Sequence, residues 1–142
     1  MQKMLKEKLW AYIVHNNPDL MYRLQEDYSV MRYLEEKVKG VMPMADRLLS
    51  ERRPLYAIEE LCVREMTEEL RPSRFLYIRE VLEDEFPNDC QRLREDGLLT
   101  YEAINIMEGC NEIFGAFDFS VENKDSSRLR HAIIAHIHGF LA

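Results

Sequence analysis

A chain of 142 residues has the size of one domain and can bury roughly two thirds of the surface its unfolded form exposes. Hydrophobic residues at 46% and charged residues at 32% exclude a disordered chain, and five glycines with five prolines are too few for a many-turned all-β protein. A net charge of −7 opposes nonspecific attraction to nucleic acid or to anionic membranes.

The first residues, MQKMLKEKLWAYIVHNN, thread charges through an apolar pattern and offer no small-residue cleavage site, which argues against a secretory leader. Leu5, Leu9, Tyr12 and Ile13 recur at helical spacing. Asn17-Pro18 closes that helix or opens the next, with Asn17 as cap and Pro18 in the first turn. From about Tyr28 the positions Met31, Leu34 and Val38 continue the period, and Gly40 and Pro43 are expected to interrupt it. A short helix through Ala45, Leu48 and Leu49 follows, and after Pro54 the residues Leu55, Ile58, Cys62 and Met66 make a clean stripe.

Pro72-Ser73 breaks the pattern, Ser73 is placed to cap a helix to Phe86, and Pro87 ends it. A brief helix around Cys90 to Arg94 runs to Gly97. Thr100 is expected to cap a helix whose stripe is Ile104, Met107, Cys110, Phe114 and Phe117. Ser126 or Ser127 caps a last helix bearing Leu129, Ile133, Ile137 and Phe140. With no repeat and no linker, the expected fold is all-α: one domain over residues 1–142, an orthogonal or irregular compact bundle of about six to eight short helices.

Chemistry-bearing residues are sparse. On the helix that ends in VLEDEF, Phe75, Ile78, Val81 and Leu82 gather on one side, and Glu80, Glu83 and Asp84 fall away from it. Glu85 sits seven residues after Ile78, on the line of that apolar stripe and near the negative end of the helix dipole. It is therefore expected either to swing into water from a frayed last turn or to serve as a structural carboxylate paired with an arginine from another helix.

The histidines of RHAIIAHIHGF do not converge as metal ligands. His131 and His138 share a face but stand about 10.5 Å apart along the axis, and His136 points elsewhere. His136 reads as a core-edge histidine with one hydrogen bond. Cys62, Cys90 and Cys110 form no C-x-x-C; Cys62 and Cys110 fall on apolar stripes, and Cys90 is expected to be more exposed. Reduced thiols and a cytoplasmic location follow from that usage. No nucleophile motif, phosphate-cradling glycine loop or H-E-x-x-H occurs, so no catalytic, cofactor-binding or metal residue is assigned and no cofactor is expected. No apolar run reaches the roughly 18 residues that span a bilayer, so no membrane partner is expected. Arg71, Arg74 and Arg79 flank the Pro72 corner and are the candidates for nucleic-acid contact, opposed by the acidic residues on the same helix.

From Glu60 onward, EELCVREMTEELRPSRF, then VLEDEF, then CNEIFGAF resemble a family of small helical Bacteroidetes proteins of unknown function, often carried on conjugative or other mobile elements. The first 56 residues match that pattern only loosely, and the loop after Phe117 reads DFSVENKDSS where an aromatic-acidic loop is expected. The resemblance implies an all-helical fold, a bacterial cytoplasmic setting and an accessory role linked to a mobile element; it brings no activity or catalytic residue. Residues and resemblance together point to a non-enzymatic helical accessory or interaction protein, acting through a protein partner or as a homo-oligomer. The alternative is a nucleic-acid-associated regulator using Arg71 and Arg74.

Overall fold

The computed structural model describes all of residues 1–142, which form nine α-helices, one turn of 3₁₀ helix and no strand. The chain, expected as one domain over residues 1–142, divides by its packing into two units, Met1–Leu70 and Arg71–Ala142. Each unit has its own apolar cluster, and each is a helical bundle in itself.

In the first unit, α1 (Gln2–Asn16) packs against α2 (Pro18–Glu26), α3 (Val30–Ser50) and α4 (Leu55–Met66), and a 3₁₀ turn follows at Glu68–Leu70. Leu5, Leu9 and Ile13 of α1 meet Leu34, Val38, Val41, Ala45 and Leu48 of α3 and Ile58, Cys62 and Met66 of α4. Each large aliphatic side chain buried this fully contributes roughly 1.5–3 kcal/mol. Pro18 opens α2 as expected, but the Asn17 side chain makes no capping hydrogen bond, and its Oδ1 is buried without a partner.

The expected break at Gly40 and Pro43 does not occur: α3 runs through both. Pro43 removes the donor that would reach the carbonyl of Lys39, yet both residues are exposed, so water can satisfy that oxygen. Two residues placed on core stripes by spacing lie outside them instead. Met31 is 57% exposed and Leu55, at the first position of α4, is 53% exposed. Each stands at the first turn of its helix.

The second unit comprises α5 (Arg74–Glu85), α6 (Pro87–Glu95), α7 (Leu99–Gly109), α8 (Asn111–Ala116) and α9 (Ser127–Leu141). Ser73 caps α5 by accepting from the Leu76 amide at 3.1 Å, and Ser126 caps α9 by accepting from Leu129 at 3.3 Å. Gly97 adopts φ +71°, a left-handed turn that favours glycine, and the Leu98 amide closes back on the Leu93 carbonyl. Thr100 is not the cap of α7: that helix begins at Leu99, with Leu98 in the capping position.

The stripe from Ile104 to Phe117 belongs to two helices rather than one. The chain turns at Cys110, whose amide is shared between the Ile106 and Met107 carbonyls. Next to the break, the His136 ring of α9 lies so close to Gly109 that a Cβ there would come within 2.8 Å of its Nε2. Phe75, Ile78, Val81 and Leu82 of α5 are buried as their spacing predicts, with Ala103, Ile106, Cys110, Phe114, Leu129, Ile133 and Ile137. Phe140, at the end of the α9 stripe, is exposed.

Candidate functional site

The acidic end of α5 is held by arginines. Glu83 accepts from Arg79 Nε at 3.2 Å, one turn back on the same helix, and Arg94 Nη2 of α6 approaches it at 3.5 Å. Asp84 and Glu85 share one arginine of α9: Arg130 Nη2 lies 3.4 Å from Asp84 Oδ2 and 3.2 Å from Glu85 Oε1. Glu85 is both exposed, at 42%, and paired across helices. Burial alone would lower the Arg130 pKa, but the hydrogen bond to Glu85 and the charges of Glu85 and Asp84 outweigh it, and the pKa is raised.

The three arginines proposed for nucleic acid have diverged in role. Arg74 donates to Asn111 Oδ1 at 3.2 Å and stacks its guanidinium over the Phe114 ring at 5.2 Å, so it fastens α5 to α8. Arg79 is engaged by Glu83, and Arg71 is exposed.

Beside this network lies a polar hollow of about 290 Å³, lined by Tyr77, Glu80, Lys124, Asp125, Ser126 and Arg130. Tyr77 stands edge-on to Phe114 and Phe119, and its hydroxyl is buried without a partner. Burial raises the Tyr77 pKa, with nearby Arg130 opposing. The loop that forms the other wall is tied by Asn123, which accepts from the Ser120 amide at 2.7 Å and donates to the carbonyls of Phe117 and Asp118.

His136 packs on the Gly109 backbone, and His131 and His138 are exposed. No group of three or more His, Cys, Asp or Glu side chains is arranged to hold a metal ion. All three cysteines are buried and free. Cys90, expected to be the exposed one, is only 2% exposed, because α6 turns it inward above Leu93. Burial raises the thiol pKa of Cys62, and that of Cys110 to about 11, which suppresses the nucleophilic thiolate. No helix is long and apolar enough to cross a membrane.

In the first unit, Lys37 pairs with Glu69, which raises the lysine pKa, and its ammonium lies 5.7 Å from the centre of the Tyr33 ring. A larger feature is an open groove of about 620 Å³ between α1 and α4. One ridge is Lys8, Ala11, Tyr12, His15 and Asn16; the other is Tyr56, Glu59, Glu60 and Val63. Both follow the i, i+3, i+4, i+7 rule, so each is one continuous face of its helix. Tyr56 is 73% exposed, and Lys8 Nζ lies 3.3 Å from Glu59 Oε2.

Spacing alone displays both ridges, but not that α1 and α4 are neighbours. Arg130 also escaped the sequence reading. It follows Leu129, at the polar edge of the α9 stripe, and nothing local marks it as the partner of a residue 45 positions earlier. No protein-family model, curated protein or solved structure matches this chain.

Proposed function

We propose that this chain is a non-enzymatic helical interaction protein, acting through a protein partner or by self-association, in the accessory role that the family resemblance implies. The observation that carries the reading is the α1/α4 groove, where Tyr56 stands in solvent beside Ala11, Tyr12 and Val63. Exposed apolar surface framed by charged residues is the usual form of a protein-docking face, and tyrosine is among the side chains that contribute most to such contacts.

Photo-cross-linking tests this. A photoreactive phenylalanine derivative at position 56 should give a discrete protein adduct in cells producing the chain. Illumination that yields no adduct, with the folded protein present, would rule the reading out.

A further inference from the structure

We infer that the α1/α4 groove binds a second copy of this chain, in a two-fold pair whose axis runs along the groove. The inference rests on the reading of the chain as an interaction protein and adds the occupant and its orientation. Its basis is the division of charge between the ridges. The α1 ridge carries the cation Lys8, and the α4 ridge carries the carboxylates Glu59 and Glu60. The apolar groups Ala11, Tyr12, Tyr56 and Val63 belong to the same two faces.

A surface divided in this way is complementary to itself. In a two-fold pair the same patch serves both partners, and residue i of one copy meets residue j of the other. An axis along the groove keeps each residue at its height and exchanges the two sides. The α1 ridge of one copy then lies over the α4 ridge of the other, basic over acidic. The perpendicular in-plane axis would set α1 on α1 and α4 on α4, which places like charges together and is disfavoured.

One contact follows directly. Lys8 and Glu59 stand 3.3 Å apart within a chain and so lie at the same height. Across the pair, Lys8 of each copy comes to Glu59 of the other, and four side chains of alternating sign close a ring. Tyr56, exposed in the single chain, is covered against the ridge that holds Ala11 and Tyr12.

Sedimentation equilibrium of the 142-residue chain and two charge reversals test the arrangement. The wild-type mass should rise from 17.0 kDa towards twice that value as concentration increases about a hundredfold. Lys8→Glu and Glu59→Lys should each weaken self-association by about tenfold or more, since each sets like charges face to face. An equimolar mixture of the two variants should restore association to within about twofold of wild type, because both cross-contacts are then oppositely charged. Tyr56→Ser, which alters no charge, should weaken the pair as well.

A wild-type chain that stays at 17.0 kDa throughout, or a mixture of folded variants that fails to recover, overturns the inference. If the position-56 probe then captures a different protein, the interaction reading stands and only the second copy is lost. If the probe captures nothing, both fall.

Discussion

Arg130 of α9 reaches the carboxylate that closes α5, its Nη2 lying 3.2 Å from Glu85 Oε1 and 3.4 Å from Asp84 Oδ2. The pair explains how an acidic residue is tolerated where the helix dipole is negative: a guanidinium from another helix offsets both the dipole and the neighbouring carboxylate. Because Glu85 is 42% exposed, the stabilisation is that of a surface pair. A double-mutant cycle of Glu85→Ala and Arg130→Ala should give a coupling of roughly 0.2–1 kcal/mol. The coupling should shrink as salt is added, and Glu85→Gln should lose most of it. A salt-independent coupling above about 2 kcal/mol would mean that the pair is far better shielded from water than this geometry shows.

Gly109 and His136 give a prediction in which the sign depends on the background. A methyl at position 109 would meet His136 Nε2 at 2.8 Å, so Gly109→Ala should destabilise the protein by about 1 kcal/mol. With the ring removed by His136→Ala, the same change should become neutral or stabilising, because alanine exceeds glycine in helix propensity by up to about 1 kcal/mol. Urea melts of the four proteins check this, and equal effects in both backgrounds would refute the packing account.

Alkaline pH should weaken the protein through its buried thiols. Burial holds the Cys110 pKa at about 11, above its ordinary 9.0, so the folded state keeps a proton that the unfolded state releases. That stabilisation is fully present below pH 9.0 and is lost as pH rises towards 11. Across the window it amounts to roughly 2–3 kcal/mol. Cys110→Ala should start less stable at neutral pH and show a flatter decline, measured as unfolding free energy at neutral pH and near pH 10. Parallel curves for the two proteins would remove Cys110 as the cause.

Pro43→Ala should stabilise the first unit. It restores the amide that α3 lacks and relieves the ring's crowding of the preceding turn, an effect of up to about 3 kcal/mol in a regular helix interior. A rise in the denaturant midpoint with unchanged slope is the expected result. A fall would show that α3 depends on proline at this position.

Helical periodicity made most of the second unit legible. Phe75, Ile78, Val81 and Leu82 were readable as one buried face, and Ser73 as a cap, because both signals are local. The burial of Cys90 is hidden in the sequence because α6 is short and polar, and its inward face holds just Cys90 and Leu93. The continuity of α3 through Pro43 is not legible in the sequence, because the cost of proline depends on whether the orphaned carbonyl meets water, which is a tertiary fact. The same limit applies to the groove and to Arg130. Each ridge or partner is visible alone, and their juxtaposition is set by packing between helices distant in sequence.

The proline in α3 has one more consequence, which concerns motion. Of the helical ladder between Val30 and Ser50, one rung is absent, because Pro43 has no amide to offer the Lys39 carbonyl. Amide protons around that gap can trade with deuterium through small openings, well before the whole unit comes apart, and those flanking it should be slower. The longest helix in the molecule should therefore have its most readily exchanging interior amides near its middle.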